Sequence, residues 1–427
     1  MTDDILPADR RSRVRSPAPG SAPDKPVVSV LIPAWNAEAS IGRAIASALE
    51  FRDVPLECIV VDDGSSDRTV GIVRDLAAED PRIVLIALGD NAGVSNARNQ
   101  GLAVVRGAWL TLVDADDRFL PGGLEMLVRA ALASDALAVV GQQVWWDGAR
   151  RWRAPRYDLP DIRLPGRKSL AGSPGLLNYV SPHAKLFHRS CWDGLEFSGR
   201  VLGDQPWIIR ALIRAGDRID VLGETVYEWY RPAPRRGVPS ITATTRAQVR
   251  GGVEAVEVAG AALRMVREEW QRHRGPAGDD GLLAAYVDRL LVMDLGTHVA
   301  TALTRADPEI GLLFDAIRRF LGGVPPAHVA ATAALTRSIL EPPLRRWHRV
   351  VGDGRAAYWR LFEASVAIDP ALVAHGTSAA VRLALRLAAR GPGPANRAAA
   401  VLLLRVVRAI RRRIVQSRRT RRYEVAS

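Results

Sequence analysis

The sequence holds only two cysteines, Cys58 and Cys191. That excludes a disulfide scaffold and any Cys-rich zinc module. Its seven histidines form no HExxH pattern, so the zinc hydrolase signature is missing. No GxxxxGK[ST] or GxGxxG string follows a strand pattern, which disfavours P-loop and dinucleotide folds. Long apolar runs are also missing. Ala398–Leu404 is soon followed by Arg405 and Arg408, far short of the roughly 20 residues a spanning helix needs. The opening Met1-Thr2-Asp3-Asp4 has no basic or apolar stretch of a secretory signal. A cytoplasmic protein is expected, touching a membrane only at its surface. Lysine is nearly absent: 56 of the 59 basic residues are arginine. Together with the Ala and Gly usage, this looks like the bias of a GC-rich genome.

What is present is an ordinary globular balance, 48% hydrophobic and 25% charged over 427 residues. That length suits two or three domains. The net charge of +13 is unevenly spread. Residues 391–427 hold ten Arg against one Glu, so the basicity belongs mostly to this tail.

Residues 1–26 are rich in Pro, Ser, Arg and Asp without periodicity and are expected to form a disordered leader. Val27-Val28-Ser29-Val30-Leu31-Ile32 reads as a strand buried on both faces. The pattern then alternates. Helices are expected over 40–50, 69–78 and 95–105, and strands over 58–61, 83–87 and 109–113. This β-α-β-α-β-α-β order points to a doubly wound α/β sheet. A helix over 122–134 and a strand over 138–146 follow. Residues 147–181 are rich in Pro, Gly, Arg and Trp and read as a functional loop or lid. A helix over 205–215 and a strand over 225–230 close an α/β domain spanning 27–232. Residues 240–390 read as a mainly α-helical C-terminal domain, and 391–427 as a basic amphipathic tail.

Polar clusters follow three of the strands. They are Pro33-Ala34-Trp35-Asn36, Asp62-Asp63-Gly64-Ser65-Ser66-Asp67 and Asp114-Ala115-Asp116-Asp117. In open α/β sheets the carboxyl ends of strands line the ligand crevice, so the three should converge. Carboxylates crowded at one strand end repel and raise each other's pKa, and a bound Mg²⁺ or Mn²⁺ removes that conflict. The alternative is an acidic turn that caps the next helix. Gly64 lets the chain turn sharply, and Asp67 suits a helix cap. Asp62 and Asp63 lie too early to cap. They suit hydrogen bonds from a nucleobase N–H or ribose hydroxyls.

Residues 27–230 resemble the family 2 nucleotide-sugar glycosyltransferases of the GT-A fold. Four strings in order carry the likeness: Val28–Asn36, Val60–Asp67, Asn91–Gly101 and Leu112–Asp117. The resemblance implies that Pro33 and Trp35 line the nucleotide base, with a core role as the alternative for Trp35. It implies that Asp63 reads the pyrimidine edge beside Asp62, and that Asp114 and Asp116 form the DxD pair. Asp114 would hold the donor, and Asp116, with Asp117 sharing the task, the metal. Arg98 and Asn99 either steady the donor or serve capping and packing.

An inverting transferase also needs a base for the acceptor hydroxyl. The family places it in a Glu-Asp pair opening a helix. The matching stretch here is Gly203-Asp204-Gln205-Pro206-Trp207, so Asp204 keeps the base position and Gly203 replaces the usual Glu. Asp204 also suits the N-cap of the helix over 205–215, and both roles are compatible. His183 and Lys185 match a segment that meets a diphosphate or anionic acceptor; a surface strand edge is the alternative.

The implied partners are a nucleotide-sugar donor, a UDP-sugar by expectation, and a glycan, teichoic-type polymer or lipid-linked acceptor. The cofactor would be Mn²⁺ or Mg²⁺. The tail adds an anionic membrane surface, with a packed helix as the alternative. No nucleic-acid module is visible. The rival reading is a GT-A module that binds without turnover, which the Gly203 departure keeps open.

Overall fold

The computed structural model describes residues 26–153, 157, 159–199, 202–231, 249–274, 281–295 and a few positions between 298 and 323. The leader up to residue 25, the tail 391–427 and most of 240–390 lie outside these residues. The chain divides into two compact units, Met1–Ala233 and Pro234–Ser427.

The N-terminal unit is built on β1 (Val28–Ala34), β2 (Leu56–Asp62), β3 (Ile83–Ala87) and β4 (Trp109–Leu112). Every residue of β1 and β2 is buried. A strand covered on both faces has no polar side to show, hence the nearly unbroken apolar runs, in which buried Ser29 donates to buried Glu57. The connecting helices are α1 (Ile41–Leu49), α2 (Thr69–Glu79) and α3 (Val94–Leu102). Helix α1 buries Ile41, Ala44, Ile45, Ala48 and Leu49, the stripe its spacing predicts.

Next come β5 (Arg118–Phe119), α4 (Gly123–Ala133), β6 (Ala138–Trp146), β7 (Arg151–Trp152), α5 (Pro160–Arg163) and β8 (Gly166–Lys168). A 3₁₀ turn (Pro174–Asn178), β9 (Lys185–His188), α6 (Arg189–Trp192), α7 (Gln205–Ala215) and β10 (Ile219–Tyr230) complete the unit. All ten strands form one mixed sheet, ordered β3-β2-β1-β4-β9-β6-β10-β5. Strand β7 pairs with β6, and β8 with β10. Strands β1 to β4 run parallel, while β9 is antiparallel to both β4 and β6. This is an α/β architecture of the expected class.

Three details differ from the sequence pattern. Residues 147–181 are not one open loop, because β7 and β8 hydrogen-bond to β6 and β10. Strand β9 lies in the middle of the sheet rather than at a surface edge, and Lys185 in it is only 1% exposed. Its four residues are too short and too polar at their ends to stand out. Strand β10 begins at Ile219, not Thr225, because the exposed Gly223 and Glu224 form an irregularity between two paired halves.

In the second unit α8 (Val249–Arg274) buries Ala255, Val256, Ala259, Leu263 and Val266. Helix α9 (Gly281–Arg289) buries Leu282, Leu283, Tyr286 and Val287.

Candidate active site

Proline 33 shows how the crevice opens. Pairing of β1 with β4 ends at Leu31 and Leu112, and Val113 makes the last bond, to the Leu31 carbonyl. Proline cannot donate, so its place is where a ladder has already ended. Beyond it β4 turns away into the acidic cluster. Trp35 follows, 46% exposed at the β1 end, so it is not a core residue. Asn36 adopts a positive φ of 47°, and its side chain accepts from the Ser66 N–H. That bond ties the β1 turn to the β2 turn.

At the end of β2, Gly64 has φ 71°. Asp62 is buried and uses one oxygen to accept from the Ser65 N–H. Its other oxygen, Oδ1, is buried with no hydrogen-bond partner. Both oxygens of Asp63 accept backbone N–H groups, from Ala92 and Gly93 at 3.0 and 2.7 Å. Asp63 therefore anchors the entry to α3. Asp67 accepts from the N–H and hydroxyl of Thr69 and from the Glu38 N–H, pinning the start of α2.

Three acids follow β4 in three environments. Asp114 accepts from Arg98 Nη2 at 3.0 Å, and its other oxygen lies 3.0 Å from His183 Nε2. Burial raises its pKa, but the charges and hydrogen bonds of His183 and Arg98 outweigh burial and hold it well below the usual carboxylate range. Asp116 is exposed. Desolvation under the surrounding chain and then the Asp114 charge push it up to about 6. Asp117 is buried, accepting from the Tyr227 hydroxyl at 2.9 Å and the Tyr230 N–H at 2.7 Å. Burial, then Asp116 and Asp114, raise its pKa well above the ordinary value.

His183 is buried and stacks flat on Tyr227, ring centroids 5.1 Å apart at 4°. Its Nε2 faces the Asp114 carboxylate, while Nδ1 has no hydrogen-bond partner among the described residues. Ligand atoms of Asp114, Asp117 and His183 lie within 4.8 Å of one another. Two carboxylates and an imidazole fit a divalent cation. The resemblance implies Asp114 and Asp116 as the DxD pair, with Asp116 and Asp117 for the metal; the fold gathers Asp117 with Asp114 and His183, and Asp116 is exposed. Tyr227, Tyr230 and Arg43, which donates to the Asp116 carbonyl at 2.9 Å, carried no sequence signal. They reach the cluster from β10 and α1, distant in the chain.

Lys185 is turned inward. Its Nζ donates to the Ser181 and His183 carbonyls at 2.8 and 3.2 Å and lies 3.5 Å from the Tyr179 ring centroid. Burial lowers its pKa well below the ordinary value, while the Asp204 charge pulls the other way. It thus fixes the backbone that carries His183.

Asp204 precedes α7 and makes no capping hydrogen bond with its side chain. Gly203 beside it is buried. A Cβ there would collide with the Ser198 carbonyl oxygen, and would lie 2.7 Å from Ser95 Oγ and 2.9 Å from the Gly199 carbonyl oxygen. A side chain at 203 would not fit without moving backbone. Asn99 does not face the crevice acids. Its amide donates to the Phe197 carbonyl at 2.9 Å and accepts from the Phe197 N–H at 2.8 Å.

The Glycosyl transferase family 2 model matches residues 29–194. Those residues form a family 2 glycosyl transferase domain. The succinoglycan biosynthesis protein ExoO of Rhizobium meliloti (strain 1021) is 40% identical over 154 residues, 35% of this chain and 43% of ExoO. The chondroitin synthase of Pasteurella multocida (strain Pm70) is 32% identical over 115 residues, 27% of this chain and 12% of the synthase. The match thus spans less than half the length of either relative. Residues 1–349 of S. aureus TarS, solved in complex with UDP, align with a TM-score of 0.59 at 18% identity, covering 79% of this chain and 90% of that one. At that identity the likeness is one of GT-A fold. The glycosyl transferase match ends before Asp204, so the base assignment rests on the local sequence pattern.

Proposed function

We propose that this chain is an inverting, metal-dependent glycosyltransferase. It would move a sugar from a UDP-sugar to a hydroxyl of a cell-surface glycan, teichoic-type polymer or lipid-linked acceptor. The observation that carries the reading is the gathering of Asp114, Asp117 and His183 beyond the carboxyl end of β4, within a family 2 domain. The buried, unpartnered Asp62 Oδ1 calls for a ligand donor such as a ribose hydroxyl or base N–H. The exposed ring of Trp35 suits stacking on the base. TarS, of the same fold, has been solved with UDP and with UDP-GlcNAc.

In this reading Asp204 takes the proton of the acceptor hydroxyl as its oxygen attacks the anomeric carbon. The new C–O bond forms as the bond to the diphosphate oxygen breaks, and the nucleoside diphosphate leaves with that electron pair. Asp114, Asp117 and His183 would hold the metal, and Arg98 orients Asp114. When bound, the divalent cation neutralises the leaving diphosphate, which then needs no proton. One base suffices, unlike the two carboxylates of a glycosidase. The binding-only alternative draws on Gly203, but Asp204 itself is retained and position 203 is sterically crowded.

A panel of UDP-sugars, assayed for UDP release with Mn²⁺, tests the proposal. Turnover of at least one donor, abolished by EDTA and restored by Mn²⁺, is expected. Tight UDP binding with no turnover of any donor would favour the binding module. Among the described residues no helix is long and apolar enough to cross a membrane. We place the protein in the cytoplasm, peripheral at the inner membrane face through residues 391–427.

A further inference from the structure

The geometry points to α3 as a bar that holds the base-bearing turn in register with the donor acids, with Asn99 and Ser95 as positioning residues for Asp204. The inference rests on the reading of Asp204 as the base. Helix α3 is fixed at the donor end twice. Asp63 accepts the Ala92 and Gly93 N–H groups at its entry, and Arg98 in its middle pairs with Asp114. A separate set of its side chains grips the segment before Asp204. Asn99 makes its paired bonds to the Phe197 backbone, and Ser95 Oγ donates to the Gly199 carbonyl at 2.7 Å.

Phe197 joins the two sets. One contact of its ring is the Arg98 guanidinium, 5.2 Å from the centroid. Another is Trp207 in the first turn of α7, stacked at 4.8 Å and 8°. Asp114, Arg98, Phe197 and Trp207 are therefore linked contact by contact, and Trp207 lies three residues after Asp204. Gly203 completes the fit. It sits so close to Ser95 and to the carbonyls of Ser198 and Gly199 that even a methyl group is excluded. Gly199 and Gly203 both pack against Ser95 of α3. Asn99 and Ser95 act on the base through backbone; neither is placed against substrate.

A general base works only within hydrogen-bond reach of its proton, and a misplacement of about 1 Å can cost about 10²-fold. The experiment uses the full chain, Mn²⁺ and the UDP-sugar turned over fastest in the panel. The readout is hydrolysis to UDP, with water in the acceptor's place, and UDP affinity is measured by calorimetry. Asn99→Ala should lower kcat by about 10–100-fold, leaving donor KM and UDP affinity within about twofold. Ser95→Ala, at a half-buried position, removes the Gly199 bond and should lower kcat by a smaller factor with the same split. In an Asp204→Asn background neither change should lower kcat further, because the group they position is already inactive.

Multiplicative losses in that background, or equal losses of kcat and UDP affinity, would overturn the inference and make α3 a simple scaffold. Parental kcat in both single variants, with Asp204→Asn crippled, would overturn it while leaving the base assignment standing. Parental kcat in Asp204→Asn would remove the base assignment and the inference together.

Discussion

Single residues in this domain take their chemistry from neighbours rather than from type. Asp114, Asp116 and Asp117 are the same side chain within four positions, yet the first is held low by His183 and Arg98, Asp116 is pushed up by desolvation and the Asp114 charge, and Asp117 by burial and both other acids. The Asp116 shift, from 3.8 to about 6, sets a sign for stability. The native state binds this proton at a pH where the unfolded chain does not. Its contribution is therefore full below about pH 4 and is lost as pH rises through 6. In EDTA, Asp116→Asn should melt above the parent at about pH 8, and the gap should close towards about pH 5. A gap independent of pH would refute the assigned cause. Asp204→Asn keeps shape but cannot accept a proton. It should leave UDP affinity nearly unchanged and cut turnover by ~10²–10⁴-fold. Parental turnover would leave Asp204 no catalytic role.

Elements were legible to different degrees, for physical reasons. Strands β1 and β2 and helices α1 and α7 follow from local pattern, because full burial or a single buried stripe writes itself into spacing. The site acids at the strand ends were legible for the same reason: polar clusters interrupt apolar runs. Strand β9 was not, since four residues acquire strand geometry only by pairing with β4 and β6. Nor was the role of Asn99, whose partner Phe197 is 98 positions away. Strand β5 shows another hidden determinant. Its two residues pair with β10, Arg118 directly opposite Glu228. Glu228 is fully buried and accepts from both Arg118 and Arg151. Removing one partner of a buried pair costs 3–5 kcal/mol, but both arginines here reach solvent, so about 2 kcal/mol is expected for Glu228→Gln. At about 2–4 °C per kcal/mol for a unit this size, calorimetry should show a fall of about 4–8 °C. An unchanged melting temperature would mean that the arginines find equal partners elsewhere.

At the scale of the whole chain, charge is segregated: the tail 391–427 carries most of the net +13. If it lies on lipid, each basic residue near an anionic surface contributes about 1 kcal/mol, screened by salt. The full chain should sediment with anionic vesicles at low salt and be released at high salt. Deleting 391–427 should end that binding while UDP affinity stays. A chain that stays in the supernatant with anionic vesicles at low salt would make the tail a solvated end, and a lower melting temperature on deletion would make it a packed helix. The sequence by itself determined the α/β class, the strand ends that carry acids and the Gly203 departure, because each is written in neighbouring residues. Only the tertiary structure showed that His183 lies beside Asp114 and Asp117, that Lys185 points inward, and that the Ser198 and Gly199 carbonyls and Ser95 crowd position 203. Those outcomes depend on which distant backbones touch, and local spacing carries no record of that.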